Sequence, residues 1–289
     1  MSIRRFVELF WEKRQGSDWT KIPKAMKAAF AQPQTDDERE IARIIADADR
    51  NQANVLEAEM FAQKTRLAGA ERTLASGKPT KKALNDQRIA TDKISRAQLG
   101  LADLRRTDLI DRDSRIYPDQ YVPVMIEKDG QRLVIPMRYQ CRLRGWNTAT
   151  ERKFPGTYNT RRDTLEKSWG KLFGHHHGIM VVDRFYENVE RDGKNVILEF
   201  APADHQPMLI ACLWSFQKGR EGEADLFSFA AITDEPPPEV VAAGHDRCIV
   251  PIKAEHIDAW LSPDPANLAA MYAILDDRAR PYYEHRMAA

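Results

Sequence analysis

The sequence predicts an α+β protein: a mainly antiparallel, barrel-like β core carrying a long N-terminal helical hairpin insertion. Three observations predict it. From about Asp36 to Thr107 apolar residues recur at helical spacing, interrupted once by "SGKPT". After Tyr117 the rhythm becomes two, the period of a strand. The later β-rich runs then follow one another with few helix-length crossovers, as antiparallel pairing requires. The 289 residues therefore divide into a helical segment (1–35), an antiparallel helical hairpin (36–108) and a β-rich domain with C-terminal helices (109–289).

The start, "SIRRFVELFWEKRQ", places Ile3, Phe6, Leu9 and Phe10 at helical spacings, with Ser2 as a cap. In the hairpin, Ile41, Ile45, Ala48, Leu56, Met60, Leu67 and Leu74 share one face of the first helix. "SGKPT" supplies a stop and a restart, and Leu84, Ile94, Leu101 and Leu104 mark the second helix. The seam is rich in alanine and the flanks are charged, so the hairpin reads as a structural insert or as a surface for an unknown protein partner. In the β-rich part, "YVPVMIEKDGQRLVIPMR" and "NVERDGKNVILEF" each hold two runs around Asp-Gly, a two-residue hairpin signal. "MLIACLW", "LFSFAAIT" and "RCIVPI" add three strand-like runs, and "EHIDAWL" and "PANLAAMYAILDD" read as short closing helices.

Lys+Arg 44 against Asp+Glu 43 is near balance, so an anionic partner must be met by a local patch. No apolar run approaches the roughly 20 residues of a membrane helix, and the start lacks a signal-peptide layout. Cys141, Cys212 and Cys248 are odd in number and far apart, which fits reduced thiols in a cytoplasmic protein.

"GHDRC" (244–248) sets His245 three positions before Cys248, an invitation to a nucleophile-and-base reading. Alternation instead puts Cys248 on a face with Val250 and Ile252, as packing would, while His245 lies in the turn before the strand. In "GIMVVDRFYENV", read as one strand, Ile179, Val181, Phe185 and Glu187 share a face with Asp183 breaking the row. Glu187 is then either an inward carboxylate suited to moving protons or a strand-end glutamate in solvent. "PGTYNTRRDT", with Arg138, Arg142, Arg144, Arg152 and Lys153, is the densest basic stretch of this half, and Tyr139, Trp146 and Tyr158 lie among the charges. Cations for phosphates and aromatic faces for unstacked bases suit single-stranded nucleic acid, although such a stretch is also an ordinary solvated surface. "GHHHG" (174–178) offers no metal site: three consecutive extended residues cannot all face one ion. No cofactor is expected.

"YNTRRDT", "VVDRFYE" and "GHDRCIVPI…IDAWL", in this order and spacing, resemble the SRAP family of SOS-response-associated peptidases, or abasic-site-processing proteins. "IYPDQYVPVMI…LVIPMRY", "LIACLW" and "LFSFAAITDEP" resemble its intervening strands, so the likeness runs from about Tyr117 to Pro263. It implies an SRAP-like barrel that binds single-stranded DNA at an abasic site. In the family an N-terminal cysteine, exposed by removal of Met, closes a thiazolidine with the sugar aldehyde and so crosslinks protein to DNA. The resemblance gives Asn159 the role of orienting the N-terminal residue and the sugar, Glu187 that of moving protons, and His245 a place beside the sugar. Arg161 and Arg247 become DNA contacts, and Arg138 joins them from the basic stretch. Three departures stand out. Tyr139 replaces a tryptophan, Asn188 replaces another aromatic, and the chain begins Met1-Ser2-Ile3-Arg4 where the family begins Met-Cys. The expectation is a start at an internal methionine, downstream of a short segment carrying the cysteine, and enzymatic activity only with that cysteine. The alternatives are a non-catalytic single-strand DNA binder and a peptidase limited to self-processing.

Overall fold

The structure, a computed structural model, describes residues 21–77, 79–219 and 225–288. The helix expected around Ile3–Phe10 lies outside them. The chain forms two compact units, one spanning Asp18–Ser114 and one containing Arg115–Ala289. No helix among the described residues is long and apolar enough to cross a membrane.

In the first unit a short helix α1 (Lys24–Ala28) precedes the two long ones, α2 (Asp36–Ala75) and α3 (Lys81–Arg105). "TDDE" starts α2 as a capping box: the Thr35 hydroxyl accepts the Glu38 N–H, and the Glu38 carboxylate accepts that of Thr35. Gly77, at φ 75°, stops it, and Thr80 caps α3 by accepting the Ala83 N–H. The helices run antiparallel. Ala83, Ala90 and Ala97 of α3 are buried at seven-residue intervals, with Gln63 and Ala70 of α2. Arg66–Asp86 (2.5 Å) and Lys93–Glu59 (2.9 Å) lace one flank. Leu84, expected in the seam, is exposed.

The second unit is built on a closed five-strand mixed barrel. Its strands are β1 (Tyr121–Lys128), β2 (Gln131–Tyr139), β3 (Asn159–Arg161), β4 (His177–Val182), β5 (Phe185–Arg191), β6 (Lys194–Pro202), β7 (Met208–Gln217), β8 (Leu226–Asp234), β9 (Cys248–Ile249), β10 (Pro251–Ile252) and β11 (Tyr283–Met287). β7, β4, β1, β2 and β8 pair in that order, and β8 pairs back onto β7 to close the ring. The pairs are antiparallel except β2–β8, which is parallel; β3 also adds to β8 in parallel. Asp129-Gly130 and Asp192-Gly193 turn the β1–β2 and β5–β6 hairpins with all four residues at φ between 52° and 73°, the double left-handed turn that matches strand twist. At Gly178 a Cβ would fall 2.9 Å from Val124 Cγ1, so side chains of β1 occupy the space beside it.

Ile179, Ala211, Leu213, Ala230 and Ile232 pack under α5 (Leu165–Trp169), α7 (Ile257–Leu261) and α8 (Leu268–Asp276) through Trp169, Trp260, Ile274 and Leu275. His177 belongs to this core. Its Nε2 accepts the Gly174 N–H (2.9 Å), its Nδ1–H donates to the Trp260 carbonyl (3.1 Å), and burial lowers its pKa to about 3. A neutral imidazole satisfied at both nitrogens is structural.

The strand expected over "GIMVVDRFYENV" is two strands in two sheets. The chain bends at Asp183, β4 stays in the barrel, and β5 opens a second antiparallel sheet, β5-β6-β11. Alternation therefore does not carry through: Ile179 is buried and Val181 is 51% exposed. The chain also ends in a strand, β11, beyond the closing helices.

Candidate active site

β3, β5 and the turn after α6 (Pro238–Ala242) each bring one polar side chain to a common place. The turn is set by a helix stop. Gly244 takes φ 98°, its N–H donates to the Val241 carbonyl and that of His245 to the Val240 carbonyl, the double closure of a Schellman end. This presents His245 toward β5, where its Nε2 lies 3.1 Å from Glu187 Oε2. The two side chains are 12% and 20% exposed.

Two contacts compete at His245 Nδ1: the Arg247 carbonyl at 2.8 Å and the Arg247 N–H at 3.3 Å. With the carbonyl as partner Nδ1 donates and the neutral ring leaves Nε2 to accept from the Glu187 carboxyl; with the N–H as partner Nδ1 accepts and Nε2–H donates to the carboxylate. Burial raises the Glu187 pKa, and Asp246 adds to the rise, while His245 and Arg247 oppose it. The pair holds a carboxyl and an imidazole within hydrogen-bond reach in a half-dry place.

Asn159 stands at the start of β3, opposite Ala231 in the register. Its Oδ1 accepts the Tyr139 hydroxyl at 2.9 Å, which orients the amide and leaves Nδ2 as a donor with no partner among the described residues. Tyr139 stacks on Phe229 (5.2 Å between centroids) and meets Tyr158 edge-on. Its phenol is pushed up by burial, then by Cys212 and Glu187, and this influence of Glu187 is what links the Asn159–Tyr139 bond to the Glu187–His245 pair. Tyr139 as an anchor for Asn159 was not legible in the sequence, where it stood as an aromatic among charges and as the replacement of a tryptophan of the family pattern.

Arg161 ends β3 and Arg247 follows the His245 turn, both about half exposed. Each holds an exposed acid at 3.2 Å, Arg161 with Asp163 and Arg247 with Asp246. The Asp163 hydrogen bond is the main influence holding Arg161 charged, and Asp246 adds to it, which ties β3 to the His245 turn. Exposed pairs of this kind are weak and can be exchanged for a phosphate. Arg138 is not brought to this place. Its guanidinium is buried against Glu151 of α4 (Thr148–Lys153), which also takes Arg142 at 2.7 Å. Its charge is matched inside the protein.

Cys248 is buried, and burial pushes its thiol up to about 12. It lines a cavity of about 570 Å³ with Pro237, Arg278, Tyr282 and Tyr283, and none of Asn159, Glu187 or His245 borders that cavity. Glu255, His256 and Asp277 cluster elsewhere on the surface, but the Lys253 ammonium lies 2.6 Å from Asp277 and matches its charge without a metal.

A small mixed barrel that carries a carboxyl–imidazole pair, an oriented amide and two half-exposed arginines defines a structural class, an α+β barrel protein. The family can be stated more closely. The model of "SOS response associated peptidase (SRAP)" matches residues 82–287, and this chain belongs to that family. Membership gives it a role associated with the SOS response to DNA damage. Similar solved structures include a protein from Bordetella bronchiseptica (20% identity, 60% of this chain and 86% of that one, TM-score 0.49). Another is from Bacteroides thetaiotaomicron (16%, 59% and 75%, 0.47), and a third is a phage-related protein from Bordetella bronchiseptica (18%, 64% and 85%, 0.47). No curated protein matches.

Proposed function

We propose that this protein processes abasic sites in single-stranded DNA. Arg161 and Arg247 take phosphates on either side of the lesion, the Asn159 Nδ2 donates to the sugar, and the Glu187–His245 pair moves the proton that opens the sugar ring to its aldehyde. With an N-terminal cysteine in the full protein, the α-amine adds to the aldehyde and the carbinolamine loses water. The thiol then closes on the imine carbon, its proton passing to the nitrogen, to give a thiazolidine. The observation that supports this reading most is the 3.1 Å contact between Glu187 and His245, a carboxyl–imidazole pair able to pass a proton, together with an Asn159 amide donor that has no partner among the described residues.

Fluorescence anisotropy with matched strands tests the binding half. The abasic strand is expected to bind more tightly than the intact one, and Asn159→Ala to remove that preference while leaving intact-strand affinity nearly unchanged. Equal affinity for both strands, or a preference that survives Asn159→Ala, would overturn the assignment of the site.

A further inference from the structure

Among the described residues the face of α2 turned away from α3 has no partner. Between Asn51 and Gly69 its centre carries Val55, Ala58, Phe61, Ala62, Thr65 and Ala68, with no charge. Phe61 is 75% and Val55 68% exposed. Gly69 lies within the helix, where glycine lowers stability relative to alanine, yet a Cβ there would meet nothing within 4 Å. Packing within one protomer therefore gives no reason for it. Close approach from outside does.

The charges bordering this face say what approaches. Along one shoulder, at seven-residue intervals, stand Arg50, Glu57, Lys64 and Glu71. Reversed about a point between Met60 and Phe61, the series is its own complement. Arg50 meets Glu71 of a second copy, and Glu57 meets Lys64. On the other shoulder Glu59 and Arg66, which also pair with Lys93 and Asp86 of α3, reverse about a point between Ala62 and Gln63, so the two shoulders bracket an axis between Phe61 and Ala62. A parallel pairing in register would oppose like charges, so only the antiparallel two-fold arrangement matches. That axis sets Val55 against Ala68 and Asn54 against Gly69 of the copy and places Phe61 beside it. Among the described residues Lys64 and Glu71 have no ion-pair partner within the protomer. Arg50 has Asp47 on its own helix (3.2 Å), and Glu57 reaches Arg105 (2.5 Å) through an exposed pair.

We propose that this face binds a second copy of the same chain, α2 against α2 in antiparallel, so that two hairpins form a four-helix bundle. The proposal is independent of the abasic-site reading. Arg50 to Glu71 spans about 32 Å of helix, an interface at the small end of the specific range, so the association is reversible.

Sedimentation velocity on the full chain, over concentrations up to the order of 100 μM, reads it directly. A monomer–dimer equilibrium is expected. Ala62→Glu buries a charge at its centre, and Arg50→Glu or Glu71→Arg alone opposes like charges; each should weaken the dimer at least about tenfold. Arg50→Glu combined with Glu71→Arg restores opposite charges and should recover association to within about threefold. Far-UV circular dichroism confirms that these exposed substitutions leave the helices intact. A monomer at every concentration, a dimer indifferent to Ala62→Glu, or a double exchange as weak as the single ones would each overturn the proposal.

Discussion

Acidification should destabilise the barrel through one buried imidazole. His177 is 2% exposed, lies between Phe173 and Trp260, and is satisfied as a neutral ring, with a pKa lowered to about 3. In the unfolded chain the same ring titrates near 6.5. Because the folded pKa lies below the unfolded one, the unfolded chain binds the proton first, and stability falls as pH drops from about 6.5 toward 3. Between pH 7 and 4.5 the loss amounts to about 2–3 kcal/mol, from roughly 1.4 kcal/mol per unit. His177→Gln removes the titration. The variant starts lower at pH 7, because the paired Gly174 N–H and Trp260 carbonyl lose their fitted partner, but its disadvantage should shrink by that amount at pH 4.5. Urea unfolding followed by tryptophan fluorescence at both values measures the gap. A gap that does not change with pH would show that His177 is not held neutral, and the reasoning would fail.

Glu187 behaves in the opposite sense. Its raised pKa means that stability is lost as pH rises through the folded value, so Glu187→Gln should gain on the parent from pH 4 to pH 7 in thermal melts. Removing the imidazole with His245→Ala takes away an influence that lowers Glu187, so the Glu187 carboxyl carbon should titrate higher still by NMR; a fall would contradict the pairing. Arg161→Gln and Arg247→Gln should each weaken single-strand binding and flatten the log–log salt slope by about 0.7. Arg138→Gln should act on the fold instead, costing about 3 kcal/mol in urea unfolding because it deprives the buried Glu151 of a partner.

What the sequence made legible follows from local physics. The hairpin declared itself through its period and the SGKPT stop, although its TDDE cap was not read, and both Asp-Gly turns appeared where two positive φ values were needed. The parallel closure of β2 on β8 was not legible, because nothing local in "LVIPMRY" or "LFSFAAIT" encodes a pairing across the intervening 86 residues. The break at Asp183 was missed because one exposed polar residue in an apolar run looks the same in a continuous strand and at a bend between sheets. Resemblance singled out Asn159, Glu187 and His245, and alternation alone left Glu187 undecided. The Arg138–Glu151 pair was hidden because a dense basic stretch does not announce which cation turns inward, and the glutamate that neutralises it sits on a separate helix.

The most direct test of the account is covalent capture. A polypeptide given an N-terminal cysteine, by Ser2→Cys or by a Met-Cys extension, is mixed with an abasic single strand and followed on a denaturing gel with mass spectrometry. The account predicts a heat-stable adduct weighing the sum of protein and strand less one water. Glu187→Gln should slow its formation and reversal on the order of a hundred- to ten-thousand-fold with strand affinity nearly intact, and Asp183→Asn should leave both rates near the parent's. Glu187→Gln forming and releasing the adduct as fast as the parent would contradict the central claim.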